Sequence, residues 1–65
     1  MIENRLHSGF VKITRFGEAF WLRRAYKKDG VWSGLVDNHL LVAPYAYGKR
    51  IEFTPEEVIE TAEKP

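Results

Sequence analysis

Ser33, Asp37 and His39 are the residues whose types could support nucleophilic catalysis. A serine nucleophile needs a base that takes its proton and an acid that orients that base, and these three residues lie close together in the chain. Proximity is common in a chain of 65 residues, which leaves little room for a substrate cleft. We therefore interpret His39 as a half-exposed strand residue and His7 as a surface residue, and we expect no enzyme.

The chain also has few residues that could bind a metal or a cofactor. The chain has no cysteine and two histidines, which are too few for a structural zinc site. No G-x-x-x-x-G-K-[ST] phosphate loop occurs. The glutamates near the C-terminus fall where the start of a helix attracts them and do not cluster as calcium ligands do. We expect neither a metal nor a cofactor.

Aromatic and basic residues are concentrated in the stretch AFWLRRAYKKDGVWSG at 19–34, which holds both tryptophans and four of the ten basic residues. Exposed rings beside cations hold single-stranded nucleic acid. Trp, Tyr and Arg also dominate contacts between proteins, so composition does not separate the two functions. The candidate binding residues are Trp21, Arg23, Lys27, Trp32, Tyr45, Tyr47, Lys49 and Arg50.

The net charge of +1 hides an asymmetry along the chain. Residues 1–50 carry nine Lys and Arg against four Asp and Glu, whereas residues 51–65 carry Lys64 against five glutamates. This pattern indicates a solvated surface whose charges compensate, or else an anionic partner on the basic part, with an acidic tail that competes for the same patch. Nucleic acid would contact Arg23, Arg24, Lys27, Lys28, Lys49 and Arg50.

The N-terminus carries no apolar segment of the kind found in signal peptides. The longest apolar run, at 40–43, is far shorter than the roughly 20 residues of a membrane-spanning helix. Absence of cysteine fits a reducing compartment. We expect a soluble, cytoplasmic protein.

Short alternating segments predict a mostly β chain with strands at 9–14, 18–27, 31–37, 39–43 and 50–54. Arg15-Phe16-Gly17 turns the chain, and Asp29-Gly30 is a strong hairpin signal because a type I′ turn needs positive φ at both positions. Thr54-Pro55-Glu56-Glu57 has the pattern of a capping box with proline at the first helical position. This helix either lasts one turn, followed by a short strand, which we favour, or continues to about Glu63.

These elements predict one domain over residues 1–65, a small five-stranded SH3-like barrel with one short helical turn near the C-terminus. An open sheet with a C-terminal helix packed on one face is the alternative. The predicted core consists of Val11, Ile13, Phe20, Leu22, Val36, Leu40, Val42, Ile51, Phe53 and Val58.

The hairpin at 18–37 is unusual because neither of its faces is polar when the turn sets the register. A bulge near Lys27-Lys28 or at Gly34 would shift the register by one residue and change the face of Trp32 and Val36. Alternatively, the barrel core and the chain ends cover both faces, or one face is a binding or dimer surface.

Residues 17–60 resemble a small bacterial family of unknown function that is loosely linked to immunity-type accessory proteins. The family pattern runs F-W-V, G-x-V-x-N, G-D-x-V-x-F and a hydrophobic, acidic ending. Here it matches Phe20-Trp21-Leu22, Gly34-x-Val36-x-Asn38, Gly48-x-x-Ile51-x-Phe53 and Val58-Ile59-Glu60, with Lys49 where the family has aspartate. The resemblance implies a compact β-rich fold. It implies no particular activity, because the family has none assigned.

The function that these observations favour is non-catalytic binding to a partner protein, as inhibitors and immunity proteins of phages and mobile elements do. Binding of nucleic acid through the basic, aromatic patch is the alternative. A homodimer with a structural role alone is the third hypothesis, and a particle of 7.6 kDa in solution would exclude it. We expect no membrane contact.

Overall fold

The computed structural model describes residues 9–62, which form one antiparallel sheet of five strands in the spatial order β4-β3-β2-β1-β5. The mostly β expectation is confirmed. In the described part the sheet is not closed, because β4 and β5 each have a neighbour on one side only. The strands are β1 (Gly9–Arg15), β2 (Glu18–Lys28), β3 (Val31–Val36), β4 (Arg50–Phe53) and β5 (Val58–Ala62), and a 3₁₀ helix (Pro55–Glu57) joins β4 to β5.

Two tight turns connect the first three strands. Phe16 and Gly17 have φ of 57° and 74°, and Asp29 and Gly30 have φ of 54° and 79°. Positive φ at both central residues is the conformation of a type I′ turn, whose twist matches that of the flanking strands. Both predicted turns are therefore confirmed.

A β-bulge in β2 explains why neither face of the β2–β3 hairpin looked polar. Near the turn, Lys28 pairs with Val31 and Tyr26 with Ser33, but Leu22 pairs with Val36, one residue out of the turn's register. The register shifts between Arg23 and Tyr26, where Arg24 has φ of 54°. A bulge, one of the three explanations considered for this hairpin, is therefore present, but the predicted positions at Lys27-Lys28 or Gly34 are wrong, because it lies at Arg24.

The bulge brings the buried side chains of β2 and β3 to the same face of the sheet as those of β1, where they form the core. Among the described residues the buried hydrophobic ones are Val11, Ile13, Phe20, Leu22, Ala25, Trp32, Val36, Ala43, Ile51 and Phe53. Leu40 and Val58 pack against this core while partly buried. The prediction that Val42 is a core residue is wrong, since 65% of it is exposed. Ala25, Trp32 and Ala43 are core residues that the prediction omitted.

The connection between β3 and β4 contains no strand, so the prediction of a strand at 39–43 is wrong. The carboxylate of Glu18 accepts hydrogen bonds from the backbone N–H groups of Leu41, Val42 and Ala43, at 2.8, 2.8 and 2.9 Å. These donors are the groups that a strand would offer to a neighbouring strand. The fifth strand of the sheet is instead β5.

We call the three hydrogen bonds from Leu41, Val42 and Ala43 to the Glu18 carboxylate the Glu18 clamp. This clamp makes the stability of the fold depend on pH. The N–H groups of Ala43, Leu41 and Val42 hold the pKa of Glu18 below its ordinary value of 4.5. A lowered folded-state pKa means that the clamp stabilises fully above the unfolded pKa and is lost as pH falls through the folded pKa. We expect Glu18→Gln to lower the melting temperature at pH 7. Below pH 4.5, the difference in melting temperature between wild type and this variant should become smaller. Thermal unfolding of both proteins at a series of pH values measures this, and a constant gap at every pH would contradict it.

The 3₁₀ helix is the predicted single helical turn, and β5 begins directly after it. The Glu57 carboxylate accepts the Thr54 N–H at 2.9 Å, as expected in a capping box. Arg15 of β1 donates to both carboxylate oxygens of Glu57 and to the Glu52 carbonyl. Burial raises the pKa of Glu57, but the Thr54 N–H and the Arg15 guanidinium together outweigh this and lower it. Arg15 thereby ties the 3₁₀ helix and β4 to the end of β1.

The described part of the chain has no helix with the length and apolar character needed to cross a membrane. His7, expected at the surface, lies outside the described residues.

Candidate functional site

The face of the sheet opposite the core carries the basic and aromatic side chains. Its residues alternate along the strands with the buried ones, and the register places them side by side: Lys12 pairs with Trp21, Arg23 with Leu35, and Leu35 with Arg50. We call this surface the outer face and define it by Lys12, Trp21, Arg23, Tyr26, Ser33, Leu35 and Arg50, with Tyr47 reaching it from the β3–β4 connection.

Trp21 lies near the middle of the outer face and is half-buried. Its backbone N–H donates to the Asn38 side-chain oxygen at 2.6 Å, and its carbonyl accepts the Asp37 N–H at 2.9 Å. The Lys12 ammonium nitrogen lies 5.8 Å from the centre of the Trp21 ring. These contacts fix Trp21 in position and place a cation beside its ring.

Arg23 and Tyr47 form the second cation–aromatic pair, with 5.3 Å between the guanidinium carbon and the ring centre. Asp37 joins them, since one of its carboxylate oxygens accepts hydrogen bonds from Arg23 at 3.3 Å and from the Tyr47 hydroxyl at 3.2 Å. The His39 ring stacks on Tyr47 with 5.0 Å between ring centres. Asp37 thus offsets the charge of Arg23, and Tyr47 lies between Arg23, Asp37 and His39.

Arg50 and Tyr26 form the third pair, at 4.8 Å. Arg50 also donates to the Ser33 hydroxyl at 3.0 Å. These three residues border a shallow groove of about 470 Å³, which Val31 and Glu52 also line. Each cation–aromatic pair of this kind stabilises by roughly 0.5–1 kcal/mol when exposed, so the rings and cations of the outer face hold one another in place.

The structure brings Trp21, Arg23, Tyr47 and Arg50 of the eight candidate binding residues together on the outer face. Lys49 is exposed in the connection beside Arg50, and Lys27 is exposed near the end of β2. The other two candidates, Trp32 and Tyr45, lie away from this surface.

Trp32 is a core residue, 4% exposed, with its ring 6.1 Å from that of Phe53. The bulge at Arg24 causes this difference from the sequence-based hypothesis, because it sets the face on which β3 meets β2. Tyr45 packs against Phe20 on the core side of the sheet, and its hydroxyl accepts a hydrogen bond from Arg15.

Sequence reasoning missed Lys12, Tyr26 and Leu35 as members of the outer face. Their signal was position: each alternates with core residues of its own strand. Reading that signal required the pairing of β1 with β2 and the bulge in β2, which set the neighbours across the sheet.

The residues considered for catalysis have other partners. The Ser33 hydroxyl accepts from Arg50, Asp37 accepts from Arg23 and Tyr47, and His39 stacks on Tyr47. Residues 9–62 contain no group of three or more His, Cys, Asp or Glu placed to hold a metal ion. What the outer face offers chemically is a preformed surface of rings and guanidinium groups.

No protein-family model, curated protein or solved structure matches the chain. The resemblance to the small bacterial family stays a prediction. The residues that carry it have structural roles: Asn38 holds the Trp21 backbone, Gly48 has φ of 84°, and Gly34 packs directly on Leu22. The function must therefore be argued from the side chains of the outer face.

Proposed function

We propose that this chain is a non-catalytic binding protein that acts on a partner protein through its outer face, as an inhibitor or accessory protein does. The observation that carries the proposal is the set of three cation–aromatic pairs that share this face. Trp, Tyr and Arg are the residues that contribute most energy at protein interfaces. Here they are fixed before binding, which reduces the entropy lost when a partner docks.

The same pairs disfavour the alternative, binding of single-stranded nucleic acid. Bases stack on open aromatic faces, whereas Lys12 lies over Trp21 and Arg50 lies over Tyr26. Tyr47 contacts both Arg23 and His39. The net charge of +1 also supplies little of the electrostatic attraction on which binding to phosphates depends.

Two adjacent cations allow a matched test of this proposal. Arg50 lies on the outer face over Tyr26, while Lys49 precedes it and carries the same charge. We expect Arg50→Ala to weaken binding of the partner by about tenfold or more, because it removes an interface arginine and frees the Tyr26 ring. We expect Lys49→Ala to change the affinity by less than about twofold, as rim charges do.

The measurement begins with capture of the partner from a nuclease-treated lysate of the native host at high salt, followed by titration of the purified partner with each variant. Capture that succeeds only from untreated lysate at low salt, and is lost after nuclease treatment or at high salt, would replace the protein partner with nucleic acid. Equal affinities for wild type and Arg50→Ala would remove the outer face from the binding surface.

We also propose that the five strands are an SH3-like, partly open barrel. Support comes from the meander of β1 to β4 with β5 beside β1, from the bulge at Arg24 in the long β2, and from the 3₁₀ helix between β4 and β5. Nuclear Overhauser contacts in solution between the core side chains of β4 and those of β1 and β5, which are not its neighbours in the sheet, would test it, and their absence would favour an open sheet.

A further inference from the structure

A short segment of the β3–β4 connection has no regular secondary structure but is held in one conformation. The Glu18 carboxylate binds three successive backbone N–H groups, those of Leu41, Val42 and Ala43. Ala43 is 6% exposed in the core, and Leu40 packs partly buried against the core. Leu40 and Ala43 therefore fix the segment on both sides of Leu41 and Val42.

Those two residues project from the protein. Leu41 is 93% exposed and Val42 is 65% exposed. Phe16, which is 58% exposed, lies at the same end of the sheet, because it packs against Tyr45 and precedes Glu18 by two residues. We call Phe16, Leu41 and Val42 the apolar tip. The Glu18 carboxylate beside the tip is satisfied by the three N–H groups.

We propose that the apolar tip is an anchor that inserts into an apolar pocket on the partner protein. The inference rests on the proposed function and adds a second contact surface to it. A side chain that is 93% exposed touches almost nothing of its own chain, so the tip is convex and its complement is concave. The Glu18 clamp orders the tip in advance, which lowers the entropy lost on insertion.

The exposed area argues against a symmetric contact in which the tip of one chain meets the tip of a second copy. The three side chains expose on the order of 300–400 Å², the size of a functional apolar patch on a monomer. A stable interface buries about 800 Å² on each partner, so two tips meeting would not suffice. Inserted into a pocket, the same area would act as the buried centre of a larger contact.

Site-specific photocrosslinking in the organism that produces the chain tests the anchor. Benzoylphenylalanine replaces Leu41 in the apolar tip, Trp21 on the outer face or, as a control, Glu56, which is exposed on the 3₁₀ helix. We expect light-dependent adducts of one and the same partner from positions 41 and 21 and none from position 56. Purified wild-type protein in excess should suppress the adduct at position 41, and Leu41→Ser should need about tenfold more protein or higher to do so.

The possible outcomes separate this inference from the proposed function. An adduct at position 21 alone, or equal competition by Leu41→Ser and wild type, overturns the anchor and leaves the outer face as the binding surface. An adduct of twice the mass of the chain at position 41 shows that a second copy covers the tip, and overturns it too. Adducts at neither position overturn both proposals. A melting temperature for Leu41→Ser equal to that of wild type establishes that the variant is folded.

Discussion

Trp32→Ala is expected to lower the free energy of unfolding by about 3–5 kcal/mol, the range for removal of a buried aromatic side chain. Trp32 is 4% exposed and packs on Phe53 across the β3–β4 pair. A domain of this length has a total stability of roughly 3–10 kcal/mol. The loss is therefore a large fraction of the total stability, and urea titration followed by far-ultraviolet circular dichroism would show it as a much lower denaturation midpoint.

The second tryptophan provides a matched control for this expectation. Trp21 lies on the outer face, where its backbone and not its indole makes the hydrogen bonds that join it to Asn38 and Asp37. Trp21→Ala should lower the stability by about 1 kcal/mol or less, since it leaves the core intact. Similar losses from the two substitutions would contradict the assignment of one tryptophan to the core and the other to the surface.

A conservative substitution separates packing from polarity at the same position. The indole nitrogen of Trp32 is buried and has no hydrogen-bond partner among the described residues. An unsatisfied buried donor costs about 1–3 kcal/mol, and phenylalanine would remove it while keeping one aromatic ring. Trp32→Phe is therefore expected to lose only about 1–2 kcal/mol, because the lost packing is partly offset.

Local features of the fold were predictable from the sequence because each depends on neighbouring residues. The turns at Phe16-Gly17 and Asp29-Gly30 and the single helical turn after Thr54 have short-range signals. The alternation of Val11 and Ile13, and of Ile51 and Phe53, likewise placed those residues in the core.

Features that depend on distant residues were not predictable. The bulge at Arg24 shifts the part of β2 that holds Leu22 and Arg23 by one residue against β3. This shift changes which side chains of the two strands lie on the same face of the sheet. Segment 39–43 is rich in aliphatic residues and was predicted as a strand, yet its N–H groups bind Glu18, more than 20 positions earlier in the chain. Half of the candidate binding residues reached the outer face for the same reason: residue type indicates a surface of rings and cations, but register decides which of them share it.

Gly34→Ala is expected to lower the free energy of unfolding by about 1–3 kcal/mol, the usual cost of overpacking a core. Gly34 is buried in β3 opposite Ile51. A Cβ atom there would lie 2.9 Å from the Cβ of Leu22 and 3.3 Å from the Arg23 carbonyl oxygen. One of these atoms is a Cβ and the other is a backbone oxygen of β2, so neither is the flexible end of a long side chain.

A second glycine distinguishes this clash from simple backbone strain. Gly30 has φ of 79° in the β2–β3 turn, and nothing lies within 4 Å of a Cβ built there. Gly30→Ala should cost about 1 kcal/mol, from the left-handed backbone alone. We expect Gly34→Ala to be the more destabilising substitution, and urea titrations of the two variants compare them directly.

A double-mutant cycle identifies the atoms responsible. If the Cβ of residue 34 presses on Leu22, Leu22→Ala should cost less in the Gly34→Ala background than in wild type, with a coupling of about 0.5–3 kcal/mol. The Leu22 Cβ remains in alanine, so relief comes from the freedom of β2 to shift once the larger side chain is gone. Additive losses would mean that the Arg23 carbonyl, and hence the backbone of β2, sets the close approach. In either case, the absence of a side chain at Gly34 lets β3 approach β2 closely beside the bulge, and the register of the two strands places Arg23 and Trp21 on the outer face.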